Sequence, residues 1–331
     1  MIIRSCLTRL FRGLPAAAFA GLLALTSTAQ AAWPEKPITL VVGYAAGGSV
    51  DAIARLVAQP LSERLGQPIV IENLGGAGGA VGAARVARSA PDGYTLMLGS
   101  GSEVAIAWAV NPGLKYNGIT GLTPISLIAT SPMVLVANPT VAVSTLDELL
   151  AYSKANPGKL SLATSGVGTP QHLLLEYMNR RAGIDILHVP YRSASSIAID
   201  VIGGRVDLSI LTLSTALPFI ETGKMKSLAV TGVAASPLLP KVPTLNRNAR
   251  LQGADFDLWF GLLAPGGLPA PMVERLHREL TVVLQRPDVQ ESIKKQGMLA
   301  EYRTSAEFAD YVKADSVKYQ RIIKDADISV K

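Results

Sequence analysis

Apolar positions along this chain fall into two alternating rhythms. Short unbroken runs such as ITLVV (38–42) read as buried strands, while Ile53, Leu56, Val57 and Leu61 recur at helical spacing over 49–66. Between the two lies a loop without charge, 43–48, with Gly47 and Gly48 at its end. Ser49 stands where a cap is expected, and Asp51 lies in the first turn, where the helix dipole favours negative charge. Bare glycine backbone at a helix N-terminus leaves free N–H groups that hold anions. A tight turn that uses the glycines for geometry alone fits the same residues.

The unit recurs at 159–183, KLSLATSGVGTPQHLLLEYMNRRAG: strand, Gly/Ser/Thr loop, helix. Thr169 is the expected cap and Pro170 takes the favoured first helical position. His172 falls in the first turn, where the dipole disfavours its protonation, and reads as a neutral, locally bonded histidine rather than a base.

Strand and helix patterns alternate through the rest. PIVIEN (68–73) precedes a glycine loop and a small-residue helix, and GYTLMLGS (93–100) ends in the polar Gly99-Ser100-Gly101-Ser102. Trp108 follows on a helical pattern, as a core residue or as a wall of a cleft. The apolar run 123–139 is too long for one ordinary strand and is broken at Ser131-Pro132, which suits a crossing between two lobes. Helix 144–159 has Ser144 or Thr145 as cap. A return crossing is expected near 241–267, then amphipathic helices over 269–297 and 305–326, with His277 on a solvated stripe. The alternation predicts an α/β protein with mostly parallel sheets. The predicted lobes are 32–134 with 253–331, and 135–252, joined by two hinge crossings around a ligand cleft.

Residues 1–31 read as an export leader: Arg4, Arg9 and Arg12, an apolar stretch from Leu14 to Leu25, and Ala29-Gln30-Ala31 for cleavage. The full chain has 31 basic and 25 acidic residues; without the three leader arginines the balance is 28 − 25 = +3. No basic cluster is interleaved with aromatics, so nucleic acid is excluded as the expected partner. Cys6, the only cysteine, lies in the leader, and the three histidines are widely spaced, so no metal site or cysteine nucleophile is expected. Gly76, Gly78 and Gly82 form a fingerprint one residue too long for a dinucleotide, without the acidic residue that should follow, and read as close helix–sheet packing; no cofactor is expected. No G-x-S-x-G occurs, and Ser292 with Lys295 lacks the partners of an S-x-x-K enzyme, so catalysis is not expected.

An ordered set of segments carries a further likeness. WPEKPITLVV (33–42), GGSVDAIARL (47–56), LGQPIVIEN with GGAGG (65–79), PDGYTLMLG (91–99), TPISLIA (123–129), ANPGKL (155–160), SGVGTPQHL (165–173), HVPYRS (188–193), LPKVPTL (239–245) and WFGLLAP (259–265) resemble the extracytoplasmic solute receptors of tripartite tricarboxylate transporters, the Bug receptors. The resemblance implies a type II periplasmic-binding-protein fold that captures a small organic carboxylate between two lobes. It implies ligand contacts at Tyr44, Ala46, Gly48, Ser49 and Asp51 in the first lobe and at Thr164, Ser165, Gly168, Thr169 and Gln171 in the second. Ser100 and Ser102, Tyr191 and Arg192, and Thr212 complete the expected site. The implied partners are membrane permease subunits, with a sensor kinase as the alternative, and the expected state is a periplasmic monomer.

The chain departs from the family's pattern. Ala45 and Ala46 replace two prolines, Ser102-Glu103 a Thr-His pair, Ser193 a glycine, and Leu211-Thr212-Leu213-Ser214 an Asp-Asn. With Arg192 as the one arginine near the loops, and Tyr44, Trp108, Leu211, Thr212, Leu213 and Ser214 as expected distal lining, a mono- or dicarboxylate with an apolar body fits better than citrate.

Overall fold

Strand β1 (Ile38–Val42) is buried on both faces, and its alternate residues meet different layers. Ile38, Leu40 and Val42 pack on Ile53, Val57 and Leu61 of α1 (Ser49–Leu65), whereas Val41 packs on Ala83 and Val86 of α2 (Ala80–Ala87). Helix α1 stops at Gly66, whose φ of +75° favours glycine and whose N–H closes onto Ser62 O at 2.9 Å. The computed structural model describes residues 33–325 except Pro112, Arg192, Ser193 and Val233. The expected leader at 1–31 and the expected site residue Arg192 therefore lie outside the described residues.

With β2 (Ile69–Asn73), β3 (Thr95–Ser100), β4 (Leu122–Ser131), β10 (Leu258–Pro265) and β11 (Leu299–Ala300), β1 forms a six-stranded sheet in the order β11-β4-β10-β3-β1-β2. The second sheet has the order β7-β6-β8-β5-β9, from β5 (Met133–Ala137), β6 (Ser161–Thr164), β7 (Leu187–Pro190), β8 (Leu208–Thr212) and β9 (Lys226–Val230). Pro132 separates β4 from β5, so the long apolar run does pass from one sheet to the other at that residue.

The sheets are mixed, not mostly parallel as expected. β1 runs parallel to β2 and β3, and β6 parallel to β7 and β8, but β10 is antiparallel to β3 and β4, and β5 antiparallel to β8 and β9. A strand that enters a lobe by a crossing starts at the crossing end and runs away from it, against the strands that finish there. Register makes this visible: Leu258, the first residue of β10, faces Ser131, the last of β4, and Met133, the first of β5, faces Thr212, the last of β8. The carboxyl ends of β3 and β8 thus lie at the crossings, the edge of an open sheet where ligands bind.

Helices α3 (Leu146–Ala155), α4 (Pro170–Ala182), α5 (Ala194–Ile202) and α6 (Leu213–Glu221) belong to the second sheet. α3 starts with a reciprocal cap: Glu148 N–H donates to Thr145 Oγ1 (3.2 Å) and Ser144 N–H to Glu148 Oε2 (2.7 Å). α7 (Ala270–Leu284) and α8 (Pro287–Lys295) cover the first sheet, with Arg64 of α1 paired to Glu279 at 2.7 Å. His277 is less solvated than its helical position suggests, with its Nδ1 buried.

The last helix, α9 (Ser305–Asp325), is shared between the two halves. Phe308 and Val312 pack with Trp259 and Leu263 of the first lobe. Tyr319, Ile322 and Ile323 join Ala105, Ile106 and Val110 against Leu173, Leu174 and Met178 of the second. Burying such side chains contributes about 1.5–3 kcal/mol each, so an apolar seam holds the halves together alongside the two crossings.

Candidate functional site

The first candidate loop follows β1. Ala45 to Gly48 are exposed, and the first bond of α1 runs from Ala52 N–H to Gly48 O (2.9 Å), so the N–H groups just before it are not used by the helix. Gly48 is the N-cap residue, with no side-chain cap, so Ser49 does not cap as expected but takes the first helical position. Asp51 instead reaches back to the loop: its Oδ2 accepts from Gly47 N–H (2.9 Å) and Arg55 Nε (2.8 Å), and its Oδ1 from Asn73 Nδ2 (3.0 Å). Asn73 Nδ2 also donates to Tyr44 O (3.0 Å). The Arg55 bond, helped by the Gly47 and Asn73 donors and opposed by burial, lowers the Asp51 carboxyl to about 2. At 2% exposure Asp51 braces the loop from inside rather than lying at its surface.

The glycines after β2 have a packing explanation. A Cβ on Gly43 would lie 2.7 Å from Gly79 O, and one on Gly82 would lie 2.8 Å from Gly43 Cα, so backbone meets backbone where β1 ends.

Where β1 and β3 finish, an acid is buried. Glu103 has 0% exposure; Ser100 N–H donates to its Oε1 (2.6 Å), and Ser100 Oγ (2.6 Å) and Tyr44 Oη (2.7 Å) donate to its Oε2. Burial raises the carboxyl to about 7 against these bonds, and raises the Tyr44 phenol far above its ordinary value, with the Glu103 charge adding to it. Glu103 lies in a π-helical stretch, Ser102–Ala107, where an ordinary helix is expected from the sequence; such wide turns often mark functional positions. Trp108, just after it, is half-buried with its Nε1 donating to Val104 O (2.7 Å).

The second candidate loop lies between β6 and α4. Thr169 is the N-cap as expected, accepting from His172 N–H at 3.4 Å, with Pro170 next. Its hydroxyl donates to Gly166 O (2.8 Å), and Gly168 N–H donates to His172 Nδ1 (3.1 Å). Thr164, fully buried, lies 2.6 Å through its Oγ1 from His188 Nε2, and its Oγ1 accepts from Gly166 N–H (3.2 Å). Burial first, then the neighbouring His188, lowers His172 to about 4, so it is neutral; the expected cause, the dipole, is not the principal one. Ser165 and Val167 are exposed, and Gln171 is 9% exposed.

Other expected positions separate. Ser100 is 3% exposed and committed to Glu103, whereas Ser102 is half-buried beside Tyr44. Tyr191 donates its hydroxyl to Asp200 (2.8 Å). Thr212 is half-buried at the end of β8, its Oγ1 3.1 Å from Ser214 Oγ and 2.9 Å from Thr215 Oγ1. Leu211 and Leu213, expected to line a distal pocket, are 2% and 0% exposed and pack in the second lobe's core. The edge near Thr212 therefore presents hydroxyls, not an apolar wall.

The segment 102–110 touches both loops. Its beginning holds Tyr44 through Glu103, and its end places Val110 so close to Gly168 that a Cβ there would lie 3.1 Å from Val110 Cγ2. About seven residues of helical rise separate these contacts, on the order of 10 Å. A second network, not expected from the sequence, stitches the crossings: Met133 N–H donates to Thr231 Oγ1 (2.8 Å), which donates to Asp257 Oδ1 (2.5 Å). Among the described residues no helix is long and apolar enough to span a membrane, and no three His, Cys, Asp or Glu gather as metal ligands.

Known proteins share this arrangement over almost the whole chain. The periplasmic binding protein BugD has 32% sequence identity, with 90% of this chain and 100% of that chain covered and a TM-score of 0.76. A Rhodopseudomonas palustris protein solved with adipate has 30% identity, 90% and 99% coverage and a TM-score of 0.79. MatC from the same organism, with bound malate, has 31% identity, 88% and 100% coverage and a TM-score of 0.77. Residues 53–328 match the family model of the tripartite tricarboxylate transporter family receptor. The two-sheet α/β chain is thus a member of the tripartite tricarboxylate transporter receptor family, the Bug receptors, with the fold of periplasmic binding proteins.

Proposed function

We propose that this protein captures one small organic carboxylate between its two lobes, without catalysis, and hands it to the permease subunits of a tripartite transporter. The observation that carries the reading is the pairing of two glycine-bearing helix N-termini, at Gly48 and Thr169, both reached by the segment 102–110. Helix N-termini hold anions through free N–H groups and the positive end of the dipole. Charge-assisted hydrogen bonds contribute about 1.5–3 kcal/mol each, so three or four support micromolar affinity after ordering costs.

In this reading Gly48, Ser49, Ala46 and Tyr44 face the carboxylate from one lobe, and Ser165, Gly168, Thr169 and Gln171 from the other. Asp51, Ser100 and Thr164 position those groups from behind. The hydroxyls of Thr212, Ser214 and Thr215 favour a polar or plain dicarboxylate over one with a large apolar body, and the malate and adipate held by relatives belong to that class. Residues 32–134 with 253–331 act as one lobe and 135–252 as the other, moving about Pro132 and the Thr231–Asp257 contact. The periplasmic relatives and the leader at 1–31 support export and cleavage, and a monomer suffices for the site.

A thermal-shift screen of organic acids in chelator tests this. Stabilisation by at least one mono- or dicarboxylate, undiminished by chelator, is expected. Stabilisation by neutral sugars or metal ions alone contradicts it.

A further inference from the structure

Tyr44 has one hydroxyl proton and two close acceptors for it, Glu103 Oε2 at 2.7 Å and Gly78 O at 3.0 Å, with Ser100 Oγ farther off at 3.4 Å and itself donating to Glu103. With Glu103 ionised, the proton goes to the carboxylate, and Gly78 O is left to solvent. With Glu103 protonated on Oε2, the carboxyl donates to Tyr44 Oη, and the Tyr44 proton turns to Gly78. Ser100 Oγ donates to Oε2 in both states, and Ser100 N–H stays on Oε1. Gly78 is exposed, so water satisfies its carbonyl in the ionised state, and protonation of Glu103 exchanges that water for the Tyr44 hydroxyl; the knot accommodates both states.

The charge balance decides between the two states once an anion is bound. Facing Glu103 are Tyr44 from the first loop, Ser100 from β3, Gly78 and Gly79 from the glycine turn, and Tyr116, which donates to the Glu103 carbonyl at 2.7 Å. Beyond Gly101 lies Asp315, held by Trp259 Nε1 (2.8 Å) and Lys318 (2.7 Å), and behind the loop Asp51, held by Arg55. Among the described residues no Lys, Arg or His is paired with Glu103. A second anion arriving at the loop that Tyr44 belongs to meets a buried carboxylate without a counter-ion, and like charges at close range favour the protonated form.

We infer that Glu103 makes this a proton-coupled site: binding of a carboxylate at the first-lobe loop is accompanied by uptake of a proton on Glu103, which turns the Tyr44 hydroxyl from the acid to Gly78. The inference rests on the carboxylate reading above. Glu103 acts through Tyr44 and is a positioning residue. Burial that lifts its carboxyl to about 7 places the exchange near neutral pH. Linkage then requires affinity to fall as pH rises above neutrality, approaching tenfold per pH unit where the free protein is ionised and the complex is not.

Calorimetric titration of the leaderless chain with malate and with adipate at pH 8, in phosphate and in Tris, tests this. The two buffers release protons with different heats, so uptake of a substantial fraction of a proton per ligand separates the observed enthalpies. Glu103→Gln should bind with equal enthalpies in the two buffers and with affinity level from pH 7 to 9. Infrared difference spectra of uniformly carbon-13-labelled wild type should gain a protein carboxylic-acid band on binding, which needs no variant. Binding without buffer dependence and without that band overturns the inference while leaving the carboxylate reading intact; the same uptake in Glu103→Gln overturns it as well. Failure of every carboxylate to bind removes the reading of function itself, and this inference with it.

Discussion

The imidazoles of His172 and His188 stack face to face, with centroids 4.1 Å apart and planes 21° from parallel. Both are held neutral, chiefly by burial, and a charge on either would repel the other. Because Gly168 N–H donates to His172 Nδ1, the neutral ring carries its proton on Nε2, which lies 3.8 Å from Glu176. Protonation of Nδ1 would break the Gly168 bond and release the loop.

The first prediction concerns acid. An unfolded histidine takes a proton below about 6.5, whereas folded His172 does so only near 4. Between those values the unfolded chain holds more protons, so stability contributed here falls as pH falls. His172→Asn should flatten the loss of denaturation midpoint between pH 6.5 and 4, whereas ligand affinity of the wild type should drop only as the pH approaches 4, where folded His172 takes its proton. An unchanged slope in the variant would place the acid sensitivity elsewhere.

Glu103 has the opposite sign. Its carboxyl is raised from 4.5 to about 7, so the folded chain holds the extra proton and stability falls as pH rises through that window. Glu103→Gln should therefore gain on the wild type from pH 4.5 to 7, by about 3 kcal/mol at most, and gain nothing further above it. Urea unfolding at pH 4.5, 6 and 8 measures this; a difference that does not change with pH would contradict it.

Asp51→Ala removes the acceptor for Gly47 N–H, Arg55 and Asn73. The donors are themselves open to water, so each lost bond costs on the order of 1 kcal/mol, and the loop loses its brace. Lower stability together with weaker carboxylate binding is expected. Weaker stability with unchanged affinity, read by calorimetry, would mean that the loop's shape does not matter to the ligand.

Much of this fold was legible because local chemistry decided it. Thr145 and Thr169 cap as the sequence implies, and Pro132 marks the crossing inside an apolar run too long for one strand. Ser49 does not cap, because Gly48 before it takes the extended conformation of the cap position and no side chain accepts there; the sequence cannot choose between neighbours that both suit the cap. Strand direction was misread where it depends on which end of a lobe the chain enters, as for β5 and β10. In the site, the two loops were visible as repeated strand–loop–helix units. The role of Glu103 was not, although its place in the family pattern was noted, because its partner Tyr44 lies 59 residues away. Leu211 and Leu213 were misassigned to a pocket because residue type does not tell which face of a sheet end is covered.

The most direct test compares wild type, Gly48→Val and Thr169→Val in calorimetric titration with malate and adipate. Gly48 has φ −81° and ψ 172°, and a Cβ there meets only Ala45 O, at 3.7 Å, so valine fits the fold and obstructs only the space before the N-terminus. Thr169→Val removes the cap acceptor and costs about 1 kcal/mol of stability. The prediction is one-to-one binding of at least one of the two acids by wild type, and loss of at least tenfold in affinity in each variant, with folding retained. Wild-type binding that survives undiminished in both variants would contradict the claim that the paired helix N-termini hold the carboxylate.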